Sequence, residues 1–589
     1  MNKKLFTGLL SVTAALTLAA CGSHSNTAEE VEQNFPETIT HEEPVIEGGT
    51  LKVAVLSQSP LQGLLNPILY TDSTDSTMID YAFESIFHFG EDLNMDDKGM
   101  ATHELDRDNK VFTIKFKDGL KWSDGEPLTV DDYIYTYEVI GRPDYKGVRY
   151  GEDAENIVGM TAFHNGEADS IEGLEKVDDQ TLKIHLLDVY PALEAGGGAI
   201  NSSIIPKHVY EGMTYDEMIT SDKTREHVVG NGAFMVEKVI PGETVTYVRN
   251  PYYWKGVAKL DGVIASIVSP EQIVAEMKAG SFDIATDMPA SQYETYKDLS
   301  NIDFVGMLMN DYSYIGFNLG HYDQETGEHV MDPDKKMANK NLRQAIGYAI
   351  NNEEVAKEVL HGLSIPANSA IPPFFKEVHL NKDELPGYSY NPEKAKELLA
   401  DAGYVDVTGD GIVEDPNGEE LTITLLTPAG SDASEAIVQD YIQKWNEVGL
   451  NVVYFGGRSI DFNTVSDKLQ SFAQDFDMFT GGWGVGYNPD PSGLYGPSAM
   501  FNFTHINTPE QTEIFDRIGS NETFDKDVKK DLFAQWQKYA NEEAFIIPRF
   551  NNYSLTAVNK RVKNYSIKLG EETSQNEIEL TAEEPIAAE

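Results

Sequence analysis

Apolar and polar positions along this chain fall into short runs that switch repeatedly between a period of two and a helical period. After Gly48-Gly49, the run Thr50-Leu51-Lys52-Val53-Ala54-Val55 predicts a short strand. Val111-Phe112-Thr113-Ile114-Lys115-Phe116 alternates strictly and predicts a half-buried strand. Thr129-Val130-Asp131-Asp132 opens a helix: the threonine is placed to cap, and acidic residues in the first turn suit the positive end of the helix dipole. Asn391-Pro392 supplies a second cap, with proline at the first helical position. Ala395, Leu398, Leu399 and Ala402 then share one face, and Gly403 stands where a left-handed stop is needed. Ile437, Tyr441, Trp445 and Val448 mark another helix, which stops at Gly449 and runs into the strand Leu450–Phe455. Strands interleaved with helices predict a mixed α/β protein. No repeat of solenoid length and no long Pro/Gly-rich linker divides the chain, so lobes built from interleaved segments are expected.

The two ends break the pattern. Lys3 and Lys4 precede an apolar run, Leu5–Ala20, that falls short of the about 20 apolar residues of a membrane-spanning helix. It reads as a secretory signal over residues 1–20. The run closes on Leu18-Ala19-Ala20-Cys21-Gly22, which resembles the bacterial lipoprotein cleavage box. That resemblance implies a diacylglycerol on the Cys21 sulfur, with Cys21 as the first mature residue at the extracytoplasmic membrane face of a Gram-positive bacterium. Two acyl chains anchor stably where one does not. Cys21 is the only cysteine, so an internal disulfide is impossible. Residues 21–47, rich in Glu, Thr, Ser and Asn, read as a disordered spacer, and residues 571–589 as an acidic tail that frays.

Composition narrows the partners. A net charge of -52 and a pI near 4.5 repel nucleic acid phosphates and anionic headgroups and weakly favour cationic ligands. The roughly 570 residues after Cys21, 41% hydrophobic overall, suffice for about three to four domain-sized units. No second segment approaches membrane-span length, and a tethered monomer is expected. The chain has no Gly-rich phosphate loop, no His-Glu-x-x-His pair and no Gly-x-Ser-x-Gly elbow, which argues against an enzyme. Its histidines are dispersed, which disfavours nickel, and no cofactor is expected. One loop, Asp406-Val407-Thr408-Gly409-Asp410-Gly411-Ile412-Val413-Glu414, has alternating oxygen ligands and a glycine at the sixth position, like the start of a calcium loop. Its twelfth position is Asn417 rather than glutamate, so a hairpin turn is the favoured reading over a metal site.

Several segments, in order, resemble the peptide- and nickel-binding proteins of ABC importers, solute-binding family 5. They are Gly48–Ala54, Tyr81–Phe87 (the family's first helix), Phe116–Gly125, Val229-Gly230-Asn231-Gly232-Ala233-Phe234, Arg249–Trp254, Ile315–Asn318, Leu342–Ile350 and Asp477–Gly484. The resemblance implies a two-lobed, periplasmic-binding-protein-like α/β fold with an extra subdomain and a hinge, of the cluster C type. Lobe I would comprise residues 48–80, 201–311 and 551–570, the extra subdomain residues 81–200, and lobe II residues 312–550. Hinges are expected near Tyr314–Asn318 and Ile546–Arg549. The implied function is capture of oligopeptides between the lobes and delivery to the permease of an ABC importer; a receptor for one signalling (pheromone) peptide is the alternative.

A binder of many peptides must read backbone groups and charged ends. Relatives place an aspartate three residues after a Gly-Trp pair against the peptide ammonium, but Gly486 occupies that offset after Gly482-Trp483. Asp490, the nearest downstream carboxylate, takes that role or else caps a Pro-rich turn. Gly482, Trp483, Gly484 and Tyr487 are the other expected cleft residues, with core packing as the other reading of Trp483. Asn231 and Phe234 lie in a motif that borders the cleft in relatives.

Overall fold

The computed structural model describes residues 35–57, 60–196 and 199–589, so Cys21 and the signal segment lie outside the described residues. Twelve strands form the main sheet: β1 (Thr50–Leu56), β2 (Phe234–Ile240), β3 (Thr244–Arg249), β4 (Gly262–Val268), β5 (Ile284–Ala285), β6 (Ile302–Leu308), β7 (Asp311–Phe317), β8 (Ser364–Pro366), β9 (Thr422–Leu426), β10 (Asn451–Tyr454), β11 (Met478–Gly484) and β12 (Ile546–Asn559). Their order is β10-β9-β11-β7-β12-β5-β1-β4-β3-β2, with β6 and β8 also paired to β12. A separate four-stranded sheet, which includes the alternating Val111–Phe116, packs near the β1–β4 end.

The predicted helix signals act as expected. Thr129 forms a reciprocal capping box with Asp132 over the helix Val130–Gly141. Asn391 caps Pro392–Asp401, and the helix Asp432–Glu447 buries Ile437, Tyr441 and Trp445. Segment Tyr81–Phe87 differs: it is irregular, and the helix before it is Ser73–Ile79. The glycine motif supplies part of its backbone pairing instead. Gly232 N–H donates to Ala82 O at 2.9 Å, while a Cβ on Gly230 would stand 2.0 Å from that same oxygen. Only glycine allows that approach.

Two large cores result. One surrounds β7 and β11; the other joins β1, β3 and β4 to the four-stranded sheet through Phe112, Ile114 and Trp122. Strand β12 runs through both halves: its start pairs β7 and its end pairs β5 and β6. β6 and β7 lie end to end along it, joined by Met309-Asn310. The chain therefore passes between lobes at Met309-Asn310 and along β12 between Phe550 and Tyr553. Tyr314–Phe317 lies inside β7, flanked by β11 and β12. The hinge expected at Tyr314–Asn318 is thus displaced by a few residues, because those residues are committed to ladders on both sides.

Residues 35–47 and the acidic tail are more ordered than their composition suggests; the rest of the expected spacer, residues 21–34, lies outside the described residues. Thr38-Ile39 pairs with Tyr565-Ser566, and His41 donates from Nδ1 to Val562 O at 2.7 Å. The tail does not fray: Val562 pairs with Leu580, which is fully buried, and Ile586 O accepts from Asn301 and Asn559. Buried Arg561 fixes this docking by donating to Ala582 O, Glu583 O and both oxygens of Asp283, the latter at 2.5 and 2.6 Å. In the 406–417 loop, Asp406 accepts from the N–H of Gly409 and Gly411, and Glu414 from that of Val407. These carboxylates staple a turn.

A buried histidine pair ties the hairpin formed by Gly320–Asp323 and Glu328–Met331 to the segment 497–507. His329 Nε2 donates to Ala499 O at 2.9 Å, which leaves its Nδ1 to accept from His505 Nδ1, also at 2.9 Å. Phe472 and Tyr322 face the pair, and Lys335 and His321 lie within reach of it. Burial, with the fields of His329, Lys335 and His321, pushes His505 down to about 3, and burial lowers His329 as well.

Two outcomes follow from these contacts. Arg561→Met strands the buried Asp283 carboxylate and should cost about 3–5 kcal/mol in denaturant unfolding. The histidines are neutral when folded, whereas unfolded histidine takes a proton near pH 6.5. Their contribution is therefore complete above about pH 6.5 and is lost as pH falls from there toward 3. His505→Asn, a residue tolerant of the left-handed φ of 61° at this site, should lessen the acid slope by up to about 1.4 kcal/mol per pH unit, read from urea midpoints between pH 7 and 4.5.

Candidate ligand-binding cleft

Strand β11 is buried at its start and emerges at Gly481–Gly484, where Gly482 and Gly484 are exposed. Tyr312 of β7 lies opposite Trp483. Beyond the strand, Val485 N–H donates to Asn310 O at 2.9 Å, and the Asn310 side chain donates to Gly486 O. Residues 485–486 are thus tied to the Met309-Asn310 passage between lobes. Gly486 takes a φ of 58°, which turns the chain toward the other lobe. Asn488 Oδ1 then accepts from Asp490 N–H, and Asp490 Oδ1 accepts from Ser492 N–H at 2.9 Å.

Tyr487 is the residue that this loop delivers across the cleft. Its ring lies between Phe89, at 6.2 Å and 29°, and Phe374, at 6.0 Å and 25°. Gly196 leaves the room, since a Cβ there would stand 2.7 Å from Tyr487 Cδ2. Burial raises the Tyr487 hydroxyl pKa, with the fields of Glu572 and Asp80 adding to it. Near Phe89, Leu93 adopts a left-handed φ of 65° and is buried against the core of the second lobe. That conformation costs roughly 1–2 kcal/mol. Burying a leucine side chain yields about 1.5–3 kcal/mol, which offsets it. Glu91 and Lys376 also meet across the cleft at 3.5 Å, but both are exposed and such pairs add little.

Two cavities open around this contact. The larger, about 690 Å³, is lined on one side by Leu93, Asp153, Tyr190 and their neighbours, and on the other by Phe374–Val378, Tyr487–Asp490 and Lys529. The smaller, about 280 Å³, is walled by Tyr312, Ile371, Phe375, Gly484, Leu494 and Phe501. Asp490 lines both, as do Phe375, Pro489 and Gly493. Asp490 is the one ionisable group of the smaller cavity apart from Tyr312. Burial raises its carboxyl pKa, and the amide and side chain of Ser492 offset part of that rise. A carboxylate in this setting is suited to an ammonium partner.

The expected site residues therefore divide. Gly484, Tyr487 and Asp490 line cavities, and Gly482 lies two positions from Gly484 on the exposed end of β11. Trp483 packs against Phe501 and Phe503 and braces the cavity wall through Phe501. Asn231 and Phe234 do not join them. Asn231 is buried and grips the backbone of Glu84, accepting from its N–H at 3.0 Å and donating to its O at 2.9 Å; Phe234 is buried in the core that joins β1, β3 and β4 to the four-stranded sheet. Both hold the lobe together, a role set by the close approach of Gly230 and Gly232 to Ala82. Sequence reasoning missed Phe89, Phe374 and Lys529. Only the Pro372-Pro373-Phe374-Phe375 cluster carried a local signal, an aromatic pair after a rigid turn.

The model for bacterial extracellular solute-binding proteins, family 5 middle, matches residues 98–503. The chain belongs to that family. The oligopeptide-binding protein OppA of Lactococcus lactis subsp. cremoris (strain SK11) is 32% identical over 597 aligned residues, covering 99% of each chain. Lactococcal OppA, solved with an endogenous peptide in the closed conformation, superposes with a TM-score of 0.78 at 32% identity, covering 90% of this chain and 100% of that one. AppA of Bacillus subtilis, solved with a nonapeptide, shares the fold: TM-score 0.68 at 22% identity, covering 91% of this chain and 100% of AppA. The two-lobed α/β architecture is that of the family. Among the described residues, no helix is long and apolar enough to cross a membrane.

The aromatic sandwich predicts a conformational effect. Each ring pair contributes about 0.5–1.5 kcal/mol beyond its buried area. Tyr487→Ala should shift the lobes toward an open arrangement, seen in small-angle scattering as a larger radius of gyration than wild type without added ligand.

Proposed function

We propose that this protein captures oligopeptides between its lobes and hands them to an ABC-type importer, held at the outer membrane face by a lipid on Cys21. The observation that carries this reading is the pair of cavities meeting at Asp490, one apolar and one mixed, closed over by Tyr487. End-to-end similarity to oligopeptide-binding OppA supports it. In this reading lobe I comprises 48–80, 201–311 and 551–570, the subdomain 81–200, and lobe II 312–550.

The chemistry is binding without turnover. A peptide ammonium pairs with Asp490, which also accepts from the turn amide of Ser492. A neighbouring side chain enters the apolar cavity, and exposed Gly482 and Gly484 leave β11 open to close approach by an extended backbone. The two chain passages between lobes let them rotate while the ligand is enclosed, and reopening at the permease releases it.

The test is affinity measured by calorimetry on peptides with free or acetylated amino termini. Asp490→Asn should weaken free-amine peptides by about 2 kcal/mol or more, roughly thirtyfold, and leave acetylated ones unchanged. Because burial raises the Asp490 pKa, wild-type affinity for free-amine peptides should fall as pH drops through a value above the ordinary carboxylate range, and Asp490→Asn should lack that fall. Absence of peptide binding would overturn the proposal.

A further inference from the structure

The larger cavity is strongly acidic, with Glu91, Asp92, Asp153, Glu155, Glu377 and Asp490 all on its wall. Two cations share that wall, Lys376 and Lys529, and they differ in kind. Lys376 is exposed and paired with Glu91 at 3.5 Å. Lys529 is half-buried in the first turns of the helix Lys526–Glu543, close to Thr523 and Phe533 on the cavity wall. Among the described residues no carboxylate forms an ion pair with it. Glu377, one of the two anions whose field reaches it, is paired to Lys526 at 3.4 Å. Burial lowers the Lys529 pKa, and Glu377 and Asp92 offset only part of that effect. A half-buried ammonium without an anion is unfavourable for the protein alone and favourable once a ligand supplies one.

We propose that Lys529 is the carboxylate-accepting subsite of the larger cavity and a determinant of which ligands it takes. The inference rests on the oligopeptide reading above. Along the rest of the wall, an incoming carboxylate meets acidic groups and is repelled. At Lys529 it gains a charge-assisted hydrogen bond in a partly desolvated site. Asp490 and Lys529 thus make one cavity with an anionic and a cationic station, complementary to a ligand with an ammonium at one place and a carboxylate at another. The carboxylate comes either from the peptide's C-terminus or from an Asp or Glu side chain; both present the same group.

The experiment uses the full chain and three pools of six-residue peptides, all with free amino termini. The first has a free C-terminal acid and no acidic side chain. The second is C-terminally amidated with no acidic side chain. The third is amidated and carries a single Glu. Wild type should bind the first or third pool at least roughly tenfold tighter than the second, and which of the two is preferred identifies the source of the carboxylate. Lys529→Met should abolish the preference and Lys529→Arg should retain it, with both variants unfolding cooperatively no lower in temperature than wild type. Equal binding of all three pools by wild type, or a preference that survives in Lys529→Met, overturns the assignment while leaving peptide capture in place. No binding of any pool overturns both. Should Lys529→Met misfold, Lys529→Gln takes its place, and a preference that survives in it overturns the assignment.

Discussion

The structure depends on one strand that belongs to both lobes. The fourteen residues Ile546–Asn559 pair at one end with β7 and at the other with β5 and β6, so a single backbone carries hydrogen-bond ladders on either side of the cleft. Pro548 sits beside a register irregularity against Ser313 and Tyr314, which is where a residue without an N–H is tolerated in a sheet. At the crossing, Asp311 accepts from the backbone and side-chain N–H groups of Asn552, while Asn551 donates to Asp311 O. Burial raises the Asp311 carboxyl pKa, and the Asn552 contacts offset part of the rise. These contacts fix the place where the lobes join. Everything that meets across the cleft meets about that line.

The cleft is built outward from it. Asn310, in the passage beside Asp311, holds Val485 and Gly486 and so sets the start of the loop that carries Tyr487 and Asp490. Tyr487 then finds Phe89 and Phe374, and Leu93 reaches the opposite core in a conformation that burial must support. Apolar contacts close the lobes, and charge differentiates the space they enclose. An acidic wall with Asp490 at the junction of two cavities and one half-buried lysine at another place gives the interior separate anionic and cationic points within a chain of large net negative charge.

Much of the local structure was legible in the chain. Caps at Thr129 and Asn391 begin helices because their side chains satisfy N–H groups that no helix can satisfy internally. The turn at 406–417 follows from Asp and Gly at fixed offsets. Other segments misled for identifiable reasons. The tail is acidic, yet Ile578 and Leu580 enter the core and Arg561 takes its carbonyls, a partnership between residues remote from that composition. Tyr81–Phe87 suggested a helix, yet several of its backbone partners come from residues 231–234, some 150 positions later. Asn231 suggested a ligand contact for the same reason: a glycine-flanked asparagine serves equally to bind a neighbouring backbone or a ligand.

By itself, the sequence determined what short-range chemistry controls: the α/β alternation, the caps and stops, the excess of negative charge, and through its ordered motifs the family. Only the tertiary structure decided which groups share the cleft. Phe89, Phe374 and Lys529 are scattered over more than 400 positions, and each alone has a bland reading as a surface or turn residue, whereas Tyr487 and Asp490 were expected in the cleft through the family motif. Their meaning comes from desolvation and from mutual distance. Both are properties of packing between lobes, which no local pattern of apolar and polar residues encodes.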